Sequence, residues 1–338
     1  VKRFSKKGLV SIMTMSFLIL GMMLSGCATN QTQVAEKAKD TSNEMTTIKV
    51  GLPSSNASYL PFFVAEKHNL FQKHHVNVTF TNVQGGVTAL RGLQSGDFQI
   101  ISSLPESVIT GVAEGANVKM IGTLDDQSMY TIYSTRDIQS PQDLKGQVVA
   151  TNRPGNGTDI QLRWWLKKNG LDPDKDVRII EAGENSTRLQ TLISGQAKLT
   201  ILSQPTDLKA DAVGMKKLAL MRDELKSYNH NMLMANGDFL KSQPEAAKGF
   251  MTAMAEATDY AKNPQNREEM IQVIMEQLKM KKEDAQKSFD FVLPALANKE
   301  KINLEGVKWA IDTTKQAGIL KGDVSVEQLI DKTITQIN

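Results

Sequence analysis

Cysteine is nearly absent from this chain. The single one, Cys27, stands among 338 residues, so no disulfide forms within the chain and no thiolate cluster holds a metal. Histidine is scarce as well. His68, His74, His75 and His230 show no ligand spacing, and adjacent residues such as His74 and His75 point apart in a helix or a strand. No metal site and no cofactor are therefore expected. Surplus charge is missing too. The formal net charge is +3, and Lys2, Arg3, Lys6 and Lys7 supply four units, leaving −1 for the rest. That balance offers no basis for binding nucleic acid. Neither a Gly-x-Ser-x-Gly elbow nor a paired acid–base motif occurs, which argues against an enzyme.

What is present begins with a leader. Four basic residues precede an apolar run at 8–24, followed by the small residues Ser25 and Gly26. This pattern is an export signal over residues 1–27. Leu24-Ser25-Gly26-Cys27 resembles a bacterial lipobox. The resemblance implies that Cys27 is lipidated and becomes the mature N-terminus. A diacylglycerol carries two chains, enough for stable attachment, so the expected location is the outer face of the cytoplasmic membrane. Residues 28–46, rich in Thr, Asn, Gln, Lys and Glu, read as a flexible tether.

The length suggests about two domains, and an apolar fraction of 40% supplies their cores. Residues 48–104 read as strand, polar turn, helix, strand, polar turn, helix, strand. Ile48-Lys49-Val50-Gly51-Leu52 stops at Pro53-Ser54-Ser55-Asn56, and Val76-Asn77-Val78-Thr79-Phe80 alternates as a strand does. Alternating strands and helices predict an α/β fold with a parallel sheet. Its ligands would sit beyond the carboxyl ends of the strands, where the polar turns 53–58, 83–86 and 102–106 lie.

The unit recurs. Val50, Thr88, Leu90, Leu93, Ser95 and Gly96 are matched 99 positions later by Val149, Thr187, Leu189, Leu192, Ser194 and Gly195. Two similar lobes are expected, lobe 1 from 47–133 and 234–338, and lobe 2 from 134–233. The runs 129–135 and Met232-Leu233-Met234 read as crossovers between them. Thr151-Asn152-Arg153-Pro154-Gly155-Asn156-Gly157-Thr158 joins a strand to the helix of Trp164 and Trp165. Its glycines let backbone approach a ligand, and a helix N-terminus there offers free N–H groups. The remainder is mostly helix, with Phe250, Met254, Ala257 and Ala261 at helical spacing and a methionine stripe suited to core packing.

Four stretches carry a family resemblance. Ala65-Glu66-Lys67 through Leu70-Phe71, the segment 85–96, Asp143-Leu144-Lys145-Gly146, and Gly170-Leu171-Asp172-Pro173-Asp174-Lys175-Asp176-Val177 resemble the solute-binding proteins of ABC importers. The similar branch is the nitrate/sulfonate/taurine group, which shares its fold with the pyrimidine-synthesis protein of thiamine biosynthesis. The resemblance implies a type II periplasmic-binding-protein fold: two Rossmann-like lobes joined by two crossovers around a ligand cleft. It also implies capture of a small anionic or zwitterionic solute that is passed to permease and ATPase subunits, and a monomer is expected, since such lobes must move freely and no heptad seam appears. Gln99 and Lys198 depart from the family, which often has an acid at these positions. A binder of thiamine-type pyrimidines and a ligand-sensing module are the alternatives. The synthase of the same fold would need a cysteine-rich iron motif and pyridoxal phosphate, and one cysteine cannot supply that motif.

On this reading the ligand-binding residues are Ser54, Ser55, Asn56, Tyr59, Gly85 and Ser103 from the first lobe. From the second they are Arg153, Gly155, Asn156, Gly157, Thr158, Asn185 and Gln204. Arg153 would pair with an anionic group. Glu106, Asp125 and Asp126 would hold an amine.

Overall fold

A computed structural model describes residues 45–53, 55–83 and 85–335. The export signal, Cys27 and residues 28–44 of the tether lie outside the described residues, as does Ser54. Residues from Met45 onward cluster as one unit. β1 (Thr46–Leu52) becomes continuously buried from Val50, as expected of a strand covered on both faces. It runs parallel to β2 (Val76–Asn82) on one side and β3 (Ile100–Ser103) on the other. β4 (Val118–Thr123) closes this sheet, and β10 (Met232–Asn236) enters between β3 and β4, antiparallel to both. The second sheet repeats the plan. β6 (Val148–Thr151) lies between β7 (Arg178–Glu181) and β8 (Leu199–Ser203), parallel to both. β5 (Tyr130–Ser134) is antiparallel to β8 and to β9 (Lys216–Leu220). The orders are β2-β1-β3-β10-β4 and β7-β6-β8-β5-β9.

The repeat extends to strand register. Val50 pairs with Phe80 and Ile100, and Val149 pairs with Ile179 and Leu199. Each partner is displaced by the same 99 positions. The stretch 129–135, expected as a crossover, contains β5, a strand of the second sheet. Met232-Leu233-Met234 belongs to β10 in the first sheet. The chain passes between sheets at 124–129 and again at 225–231. A buried strand and a buried crossover carry the same apolar run, so periodicity does not separate them. β9 is short and half-exposed, with lysines at 216 and 217, and sends no comparable signal.

The helices bury the faces their spacing predicts. In the Pro244–Lys262 helix, Phe250, Met254, Ala257 and Ala261 are all buried. They join the core of the first sheet together with the Leu60–Lys67 helix. Phe71 stacks on Phe250 with ring centroids 5.7 Å apart. A side chain of this size contributes roughly 1.5–3 kcal/mol when fully buried. Met254 and Met270 are fully buried in the same core.

Candidate functional site

The polar turns of both sheets meet in a cleft of about 400 Å³. The turn after β6 shows how local chemistry shapes it. Asn156, in extended conformation, caps the Gly157–Lys168 helix by accepting the Asp159 N–H at 3.0 Å. Gly155 turns the chain with φ +84, a conformation glycine adopts freely. It donates its N–H to Asp159 Oδ2 at 2.9 Å, and Arg163 Nε donates to the same oxygen at 2.8 Å. The buried Asp159 therefore clamps the loop. Gly157 and Thr158 then face the cleft, where the Thr158 hydroxyl and the Tyr130 hydroxyl lie 3.0 Å apart.

Four helices begin at this cleft. They are Gly86–Ser95, Pro105–Ala113, Gly157–Lys168 and Asn185–Ile193. The lining includes Gly85 to Thr88, Leu104 and Ser107, Asn156 to Thr158, and Glu184 and Asn185, which are residues of their first turns and caps. Unpaired N–H groups and the positive ends of four helix dipoles favour an anion or a strong acceptor there.

The buried cation in the wall is Arg188, which is 2% exposed. Its Nε donates to Ile201 O at 3.0 Å, Nη1 to Gly183 O at 2.5 Å and Nη2 to Asn185 Oδ1 at 2.5 Å. All three acceptors are neutral, and among the described residues no carboxylate pairs with it at salt-bridge distance. Three of the five guanidinium protons are thus used, and the charge is held in place without being neutralised by contact. Burial lowers its pKa from the ordinary arginine value, which expresses the cost of a buried charge.

The sequence-predicted residues separate into three groups. Asn56, Gly85, Ser103, Arg153, Asn156, Gly157, Thr158 and Asn185 line the cleft. Ser55 and Gln204 line an adjoining hollow. Tyr59 and Gly155 line neither: Tyr59 is fully buried in the core of the first sheet, edge-on to Phe62, and Gly155 serves the turn. Arg153 is an exposed residue at the cleft, its Nε 3.7 Å from Glu181 Oε1. It is a surface ion pair of the kind that contributes little.

The acids expected to hold an amine do not line the cleft. Glu106 is 1% exposed and accepts the Tyr228 hydroxyl. Burial pushes its carboxyl up to about 7, although its own backbone N–H and Tyr228 pull it down. Asp125 is fully buried and accepts from Asn231 Nδ2 at 2.6 Å. Burial pushes it up to about 8. Asp126 is also raised by burial. An acid placed near the carboxyl end of a strand looks available in sequence, but Glu106 and Asp125 turn into the protein, and Asp126 is half-buried within reach of the Lys262 charge.

Arg188, Tyr130, Ser107, Glu184, Ser203, His230 and Asn231 line the cleft without having been singled out. Burial pushes the His230 imidazole down to about 3, so it is neutral. A signal for Arg188 existed in the repeat. Its counterpart 99 positions earlier is Ala89, which is fully buried, so an arginine there faces inward.

Comparison with known proteins places these features. The chain is 23% identical over 224 residues to a putative binding protein, YtlA, of Bacillus subtilis, covering 65% of this chain and 67% of that one. It is 27% identical over 127 residues to the nitrate/nitrite binding protein NrtA of Synechocystis, covering 37% of this chain and only 28% of that relative. Among solved structures, the periplasmic aliphatic sulphonate binding protein SsuA of Escherichia coli superposes with a TM-score of 0.72 at 18% identity, over 86% of this chain and 94% of that one. The paired five-stranded sheets are thus the periplasmic-binding-protein fold. Residues 56–268 match the family model described as NMT1/THI5 like, and the chain belongs to that family.

Proposed function

We propose that this protein is the extracytoplasmic solute-binding component of an ABC importer, and that its cleft captures a small organic anion or zwitterion as the lobes close. The observation that carries the reading is Arg188, a buried guanidinium held by neutral acceptors in a wall where four helices begin. A ligand touching both lobes favours the closed state because only that state offers it both sets of contacts. The names of similar proteins support the class: nitrate/nitrite binding, bicarbonate binding and aliphatic sulphonate binding. Similarity to a bicarbonate transport ATP-binding protein, 21% over 234 residues, supports permease and ATPase partners. About 400 Å³ falls within the range of organic-ligand pockets and exceeds what a bare inorganic ion fills. Named relatives are binding proteins, which favours capture over catalysis. The reading includes lipid attachment at Cys27 and a monomeric state.

Native mass spectrometry of the protein purified from rich medium, followed by thermal shift with the retained compound, tests the proposal. The expected result is a retained acid whose affinity falls at least tenfold in Arg188→Ala. A retained cation, or an anion bound equally well without Arg188, overturns it. A neutral thiamine-type pyrimidine is the second reading, favoured by the Tyr130 and His230 rings, 4.7 Å apart at the same cleft. The mass and charge of the retained compound separate the two.

A further inference from the structure

The side chain of Asn185 makes three hydrogen bonds. Its Oδ1 accepts from Arg188 Nη2 at 2.5 Å and from the Ser203 backbone N–H at 3.3 Å, and its Nδ2 donates to Ser203 Oγ at 2.9 Å. Guanidinium and backbone N–H groups only donate, so the amide oxygen must face them and the amide nitrogen must face the hydroxyl. Ser203 Oγ is therefore an acceptor toward Asn185. Its own proton has no other acceptor among the described residues. Asn185, Arg188 and Ser203 all line the cleft, so that proton is available to a solute.

Stability alone would favour aspartate at this position. Residue 185 begins the Asn185–Ile193 helix, whose first turn carries no acid, and a carboxylate there interacts favourably with the helix dipole. It would also touch a guanidinium that is 2% exposed, and charge-assisted hydrogen bonds are roughly twice as strong as neutral ones. Glu184 does not take that part: it is exposed and acts on Arg188 through space. Ser203 would follow the change by turning its proton toward the new oxygen. These stabilising changes would spoil the wall for an anion. Contact would neutralise Arg188, and Ser203 would present lone pairs where it now presents a proton.

We infer that Asn185 is a positioning residue that keeps the wall selective for anions: it holds the guanidinium without neutralising it and frees the Ser203 proton for the solute. This rests on the anion-capture reading above and deepens it. The stability forgone at residue 185 is the trade-off against activity expected of a binding site.

Thermal unfolding without ligand, and isothermal titration at pH 7 with nitrate, propane-1-sulfonate and benzoate as probes, test this on the full chain and on Asn185→Asp, Asn185→Ala and Ser203→Ala. Asn185→Asp is expected to unfold about 2 °C or more above the natural protein, yet to bind the best probe at least tenfold more weakly. Asn185→Ala should unfold below the natural protein but bind that probe more tightly than the aspartate variant does. Stability and affinity then run in opposite orders, which a merely structural role does not produce. Ser203→Ala should lower affinity at least threefold with little change in unfolding temperature. An aspartate variant that binds as well as the natural protein, or that is less stable than the alanine variant, overturns the role of Asn185 and leaves anion capture standing. Absence of binding of all three probes by the natural protein overturns anion capture, and the role of Asn185 falls with it.

Discussion

Tyr228 donates its hydroxyl to the carboxylate of Glu106, 2.9 Å from Oε1 and 3.1 Å from Oε2. Glu106 belongs to the Pro105–Ala113 helix that follows β3 in the first sheet. Tyr228 lies on the passage that returns from the second sheet. Gly157, at the start of a second-sheet helix, approaches so near that a Cβ there would collide with the Glu106 carboxylate and with Leu104. Both lobes and one passage between them therefore meet at a single buried acid.

This acid makes stability depend on pH. Glu106 titrates at about 7 when folded, against 4.5 for the ordinary group. Between those values the folded protein keeps a proton that the unfolded chain releases, so stability falls as pH rises through the interval. Glu106→Gln retains the shape without the charge. Relative to the natural protein it should gain stability at pH 8, on the order of 3 kcal/mol at most, and gain much less at pH 5. Asp125 and Glu300, each raised to about 8 by burial, tilt both proteins in the same direction, so the difference is what matters. Urea unfolding at the two pH values measures it, and parallel pH slopes would refute the assignment.

Gly157→Ala places a methyl group against Glu106 and Leu104. Overpacking at a buried position costs typically about 1–3 kcal/mol. We expect that loss in urea unfolding, together with weaker solute binding, because the first turn of the helix that faces the cleft must move. An alanine variant as stable as the parent would mean that the lobes do not meet here in solution.

The two arginines of the cleft should behave oppositely. Arg188→Ala removes the guanidinium donor from Ile201 O, Gly183 O and Asn185 Oδ1, the last of which keeps the Ser203 N–H at 3.3 Å. The expected loss is about 2–4 kcal/mol of stability along with solute affinity. Arg188→Lys should restore charge but not the fork, and recover little. Arg153→Ala removes an exposed pair and should change stability by less than about 0.5 kcal/mol. Thermal unfolding of the three variants checks the order.

Trp164 and Trp309 offer a reporter of lobe movement. Trp164 lies in the Gly157–Lys168 helix and Trp309 in the Leu304–Gln316 helix, with rings edge to face at 5.8 Å. Trp309 also packs edge-on against Tyr228 at 5.3 Å. Solute binding should alter tryptophan emission in the natural protein, and Trp309→Phe should remove most of that change. An undiminished signal from the variant would place the responsive ring elsewhere.

Local pattern made much of the architecture legible. The apolar run at 48–52, the alternation at 76–80 and the 99-residue repeat announced two α/β units, because strand burial and helix spacing are written in neighbouring residues. The turn 151–158 was legible for the same reason: Gly, Asn and Thr have local conformational preferences. Which sheet receives β5 and β10 was not, since burial alone does not name a partner.

The sequence by itself determined that the chain forms strand–turn–helix units in duplicate, that their polar turns gather at the carboxyl ends of strands, and that no cysteine or histidine cluster competes with a small-solute cleft. Only the tertiary structure decided which charged groups face that cleft. Arg153 and Glu106 both sit in turns or first helical turns that pattern marks as available. Yet Arg153 is out in solvent beside Glu181, and Glu106 is turned inward to Tyr228 from the far side of the chain. Arg188, hidden within a helix, became the buried cation of the wall. Burial and the direction of a side chain depend on packing between segments remote in sequence, and that packing exists only once the two lobes have formed and met.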